Sequence, residues 1–187
     1  MAKSYDQLSE THIEFIARQK IFFVGTATAD SRENISPKGM DSFRVLDKNR
    51  AIWLNVTGSG NETAAHVQQN PRMTVMFCAL DGPPLILRLY GAATVVHRRN
   101  SEWFNLYSMF EPLPGARQIF DLSIDLVQTS CGMAVPNYTY ASDRNLLNDW
   151  ANRKGEEGLK AYWQERNQFS LDLIPTNIIS SPTAQND

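Results

Sequence analysis

The chain has 187 residues, 42% of them hydrophobic, which suffices for one domain with a sizeable core. Its 18 Lys and Arg against 20 Asp and Glu leave a formal net charge of -2, so charge offers no reason to expect a nucleic-acid or membrane partner. No apolar run approaches a membrane span, the N-terminus lacks the apolar core of a signal peptide, and Cys78 and Cys131 match no CxxC spacing. A cytoplasmic protein without a structural disulfide, zinc or other metal site is expected.

In chain order, Thr11-His12-Ile13-Glu14 reads as a capping box opening a helix to about Gln19. Strand-like sequence follows at 21–28 and 35–43 around Asp30-Ser31, then at 51–56 after Asp47-Lys48-Asn49. A helix from about Asn61 must stop before Pro71, because the residue preceding proline disfavours helical backbone. The apolar run 73–80 suits a buried strand, Asp81-Gly82-Pro83-Pro84 is a turn, and 85–96 is a long strand with Arg88 among apolar residues.

Asn100 or Ser101 can cap a helix ending before Pro112. Phe120, Leu122, Ile124 and Leu126 alternate with Asp121, Ser123 and Asp125 as a half-exposed strand. Ser142 can cap a helix carrying Leu146, Leu147, Trp150 and Ala151 that stops at Gly155, and Leu159, Tyr162 and Trp163 mark another. Strands in near-succession with few long crossovers predict a mainly β, α+β fold: an antiparallel split barrel of about six strands with flanking helices. It is expected to form a single domain over residues 1–175, followed by a polar, disordered tail at 176–187.

Two polar, glycine-containing segments, Ile35-Ser36-Pro37-Lys38-Gly39-Met40-Asp41 and Thr57-Gly58-Ser59-Gly60-Asn61-Glu62-Thr63, flank the strand at 51–56. The second precedes a helical stretch, so its N–H groups and the helix dipole would favour a phosphate, with Lys38 as countercharge. Gly-Ser-Gly-Asn is also ordinary turn chemistry, and a capped helix needs no ligand. Neither Gly-x-x-x-x-Gly-Lys-[Ser/Thr] nor Gly-x-Gly-x-x-Gly after a strand occurs, so any phosphate cradle here is of another kind.

The order of a leading helix, Ser-Pro-Lys-Gly, Gly-Ser-Gly-Asn-Glu-Thr, Asn70-Pro71-Arg72 and Leu87-Arg88-Leu89-Tyr90-Gly91 resembles the pyridoxamine 5'-phosphate oxidase-related proteins, which are FMN-binding split barrels. The later segments 128–136 and 167–172 also resemble one branch of that family. The resemblance implies an FMN site in which Lys38 stands for a flavin-contacting arginine and Gly39, Met40 and Asp41 pass along the isoalloxazine ring. Trp53, Leu54 and Asn55 would lie beside the flavin, and Ser59, Gly60, Asn61, Glu62 and Thr63 would hold the phosphate.

The family's Arg-Lys pair is replaced here by Asn61, Glu62 and Thr63, so Lys38 and Arg88 are expected to supply charge, with Glu62 turned toward a backbone N–H. Where the true oxidases end in a basic substrate-binding segment, this chain has Thr176-Asn177-Ile178-Ile179, which argues against vitamin B6 oxidation. The implied function is a homodimeric flavoprotein, an FMN-dependent oxidoreductase acting on a small organic substrate. The alternative is a non-enzymatic flavin- or haem-binding protein for storage or sensing.

No acid–base side chain stands out as catalytic. His12, His66 and His97 are scattered and read as surface or helix-face residues, although the family includes haem-handling members. Cys131 reads as a small buried residue in a tight turn or as a thiol near a flavin edge. For Arg88 the structural reading is an internal partner such as Asp41, and the functional one a flavin phosphate or ring carbonyl.

Overall fold

The computed structural model describes residues 2–179; the end of the expected tail, from Ser180, lies outside the described residues. The strands are β1 (Lys3–Tyr5), β2 (Phe22–Thr26), β3 (Asn34–Lys38), β4 (Phe43–Asp47), β5 (Arg50–Val56), β6 (Arg72–Cys78), β7 (Ile86–His97) and β8 (Ala116–Ser130). The helices are α1 (Glu10–Arg18), α2 (Glu62–Gln69), α3 (Trp103–Tyr107) and α4 (Leu146–Arg166). All pairings are antiparallel, in the order β3-β2-β6-β7-β8-β5-β4 with β1 added to β8.

The ends of that order, β3 and β4, are consecutive in the chain, and among the described residues no ladder joins them. The sheet nonetheless curls: Phe43 of β4 meets Phe22 of β2 and Phe77 of β6 with ring centroids 5.2 and 5.1 Å apart. This is the split barrel expected from the sequence, with eight strands rather than about six. One addition is β1, too short to show a pattern. The other comes from the expected strand at 35–43, which breaks because Met40 and Asp41 adopt positive φ of 61° and 51° and send the chain across to pair with β5.

The strand expected at 120–126 is the middle of the much longer β8. Its first five residues are all buried, because Phe120 faces the barrel core while Ala116 and Ile119 pack with Trp103 and Leu106 of α3. Burial on both faces removes the alternation by which a half-exposed strand is recognised. Gly91 lies at a bulge in β7 where an added Cβ would fall 1.9 Å from the Ser123 carbonyl oxygen, so only glycine fits the close approach to β8.

Helix α1 opens two residues before the expected box. Ser9 caps it, with Ser9 Oγ accepting from His12 N at 3.3 Å and Ser9 N donating to His12 Nδ1 at 3.2 Å, so an imidazole takes the part usually played by Glu. Asn145, not Ser142, precedes α4. As expected, Gly155 breaks α4 with φ of 66°, and its two arms meet through Trp150 and Tyr162 at 5.1 Å.

Packing continues past residue 175, where the tail was expected to begin: Thr176 and Ile178 are buried. Arg98 and Arg99, which resemble a solvated strand end in sequence, hold this region. Arg98 pairs with Glu156 at 2.8 Å, and Arg99 donates to the carbonyls of Asn177 and Ile178.

Candidate flavin site

Between the end of β3 and the middle of β5 lies a cavity of 160 Å³ lined by Lys38, Gly39, Met40, Trp53, Leu54, Asn55 and Gly58, with Leu113 and Leu147 at its rim. The left-handed turn after Gly39 builds one wall: Ser42 Oγ donates to Gly39 O at 2.6 Å, and Leu54 N donates to Ser42 O at 2.9 Å. Lys38 Nζ sits 5.0 Å from the Trp53 ring centroid, and Trp53 is held by stacking on Phe120 at 4.6 Å. Burial, together with the nearby Arg117 charge, lowers the Lys38 pKa to about 8.

The turn from Thr57 to Asn61 continues from β5 and is gripped from behind. Arg117 Nη1 and Nη2 both lie 3.2 Å from Gly60 O, and Nη1 donates to Asn167 Oδ1 at 2.7 Å. Asn167 Nδ2 donates to Gly58 O at 3.2 Å and reaches Ser59 O at 3.5 Å. Asn61 does not cap α2; its Nδ2 donates to Asn167 O at 3.2 Å. With its amide oriented to satisfy both ends, Asn55 accepts from Arg117 Nη2 at 2.9 Å. Arg117 is 3% exposed, and burial pulls its pKa down to about 9.

The Arg117 charge is thus close enough to raise the cost of charging Lys38, and neither forms an ion pair among the described residues. Two half-buried or buried cations beside a small cavity, without a carboxylate, suit an anionic ligand. A wider depression of 480 Å³ on the outer face, lined by Thr74, Tyr90 and Arg72, already has Glu33 and Asp125 in its wall.

The structure brings Lys38, Gly39, Met40, Leu54 and Asn55 to one cavity and places Ser59, Gly60, Asn61 and Thr63 in the adjoining turn and first helical residues. Asp41 is exposed, and its carboxylate is occupied by Arg44 at 2.8 Å rather than by Arg88. Glu62 finds the expected backbone N–H, with Oε2 accepting from Leu171 N at 2.9 Å, but it does not leave the turn: its Oε1 lies 3.3 Å from where a Cβ on Gly60 would stand. Arg88 does not join the cavity. Its neighbours Leu87 and Leu89 point into the core, which places Arg88 on the outer face, where it donates to Ser130 Oγ at 3.1 Å. Within one chain Arg88 is therefore apart from Lys38, and the second cation near Lys38 is Arg117, which lies behind the turn and not in the cavity lining.

All three histidines are buried: His12 and His66 lie on helix faces, one of the two expected placements, turned inward against Tyr5 and bonded to Thr26 Oγ1 at 3.1 Å, whereas His97, at the end of β7, is on neither a helix nor the surface. None lines the cavity. Both cysteines are free, Cys78 buried and Cys131 exposed. Arg117, Asn167 and Trp163, which sequence reasoning passed over, come from β8 and the C-terminal segment.

Residues 8–131 match the family model described as pyridoxamine 5'-phosphate oxidase. The chain belongs to the pyridoxamine 5'-phosphate oxidase family. It is 38% identical over 189 residues to ustO, a pyridoxamine 5'-phosphate oxidase family protein of Aspergillus flavus, covering 91% of this chain and 76% of that one. Two crystal structures share the family fold at lower identity. A candidate pyridoxamine 5'-phosphate oxidase from Lactobacillus delbrueckii has a TM-score of 0.52 at 18% identity, over 66% of this chain and 94% of that one. A variant of HupZ from Group A Streptococcus has a TM-score of 0.53 at 16% identity, over 65% and 98%. The family-model match ends at residue 131, so Trp163 and Asn167 lie beyond it, in a segment bonded to the turn after β5.

Proposed function

We propose that this family member binds FMN non-covalently and acts as an oxidoreductase on a small organic substrate. The observation that carries the reading is the pair of uncompensated cations, Lys38 and Arg117, beside a cavity walled by Trp53 and the β5 backbone. The bound flavin would supply the redox chemistry. Lys38 would hold positive charge at the ligand, Trp53 and Leu54 would offer an apolar wall, and the turn at 58–61 would face the phosphate.

The cavity is smaller than the roughly 300 Å³ at which ordinary ligand pockets begin. Most of a flavin would therefore lie across its mouth, and a second copy of the chain is the cover we propose for it, giving a homodimer. Vitamin B6 oxidation is not proposed, because residues 176–179 carry no basic side chain and Thr176 and Ile178 are buried against the protein. No histidine lines the cavity, so the haem-binding alternative would have to draw an axial ligand from another side chain there, such as Met40.

No helix among the described residues is long and apolar enough to cross a membrane. An absorbance spectrum of the purified protein tests the reading directly: flavin bands that survive gel filtration are expected. A Soret band, or failure to take up added FMN, would overturn it. Anaerobic addition of NADH, NADPH and other donors then tests for enzymatic use, the expected result being bleaching faster than that of free FMN.

A further inference from the structure

The carbonyls of Gly58, Ser59 and Gly60 all point at one buried assembly, Asn167 and the Arg117 guanidinium. In a trans peptide the C=O and the next N–H point in opposite directions. The N–H groups of Ser59, Gly60 and Asn61 therefore face away from that assembly, and none has a hydrogen-bond partner among the described residues. Successive N–H groups aimed to one side of a turn form an anion-binding concavity. Holding it costs something: Arg117 is buried without a carboxylate, and its Nε has no partner.

We propose that Arg117 and Asn167 are positioning residues for the ligand phosphate, drawing three carbonyls inward so that three N–H groups face the anion, with the guanidinium supplying the positive charge that Asn61, Glu62 and Thr63 lack. This rests on the flavin-binding reading above. It gives the C-terminal segment a role in recognition, since Asn167 reaches the turn from the end of α4. The cation displaced from the turn's own sequence is thus restored from β8, behind the backbone instead of beside it.

The test compares FMN with riboflavin, which differ only in the phosphate, by fluorescence titration of the full chain and of its Arg117→Met, Arg117→Lys and Asn167→Ala variants. The wild type should prefer FMN. Arg117→Met should weaken FMN about 10- to 100-fold and riboflavin by less than about threefold, the selective loss expected of a charge acting on the phosphate. Arg117→Lys should recover part of that preference, and Asn167→Ala should lose it in the same sense but less. An Arg117→Met protein that keeps the wild-type FMN-to-riboflavin ratio overturns the proposal and leaves the flavin reading standing. A wild type that binds neither flavin removes both, whereas one that binds both alike overturns the phosphate proposal and leaves flavin binding standing. If Arg117→Met does not fold, amide resonances of the wild type decide: those of Ser59, Gly60 and Asn61 should shift with FMN and not with riboflavin, and unmoved resonances overturn the proposal.

Discussion

The indole Nε1 of Trp163 donates to Thr57 Oγ1 at 2.8 Å, and the same hydroxyl donates to Gly115 O at 2.8 Å. One buried threonine thus ties α4 and the approach to β8 to the first residue of the turn after β5. Thr57→Val keeps the shape and the bond from Thr57 N to Gly115 O at 2.8 Å but leaves the Trp163 indole N–H without a partner. The expected cost is about 1–3 kcal/mol of stability, read as a lower urea midpoint with unchanged slope.

Lys38→Met should weaken FMN binding by about 1.5–3 kcal/mol, the size of a charge-assisted hydrogen bond. The pH dependence gives a second readout. In the free protein Lys38 titrates at about 8, and a bound anion favours the protonated form, so affinity should fall as pH rises through that value while the complex takes up protons. Isothermal titration in buffers of different ionisation enthalpy checks this. A wild type whose affinity is flat from pH 7 to 9 would place Lys38 away from the anion.

Arg88→Ala should leave FMN affinity within about 0.5 kcal/mol of the wild type, because its side chain is on the outer face and bonded to Ser130. A large loss would mean that Arg88 reaches a flavin held across a subunit boundary. Repeating the titration at protein concentrations above and below the dimer dissociation constant separates the two cases.

His97 is 6% exposed, and burial, with the nearby Arg99 charge second, lowers its pKa to about 4. The fold favours neutral His97, so its contribution is complete above the unfolded value of about 6.5 and is lost as pH falls from there toward 4. The loss at pH 4 amounts to at most about 3 kcal/mol. Thermal melts from pH 7 to 4 should show a shallower decline in His97→Gln, and equal slopes would assign the acid sensitivity elsewhere.

Local sequence carried six of the eight strands, the helix break at Gly155 and the paired segments around Lys38 and Gly58, because turn chemistry and period-two patterns act over a few residues. The motif resemblance, confirmed by the match over residues 8–131, placed these on a split barrel. Where the barrel buries both faces of a strand the pattern vanishes, and Arg117 sits in such a stretch, Ala116 to Phe120, reading in sequence as part of a loop. Arg88, one charge among apolar residues, was the conspicuous arginine, yet the parity of its strand position turns it outward.

Asn167 and Trp163 stand more than 100 positions from the turn they hold, and no local pattern encodes such a distance. By itself the sequence determined the fold, the family and the backbone segments of the site. Only tertiary packing decided which cation stands behind the turn, because strand parity and the return of the C-terminal segment, not chemical type alone, select the side chain that reaches a given carbonyl.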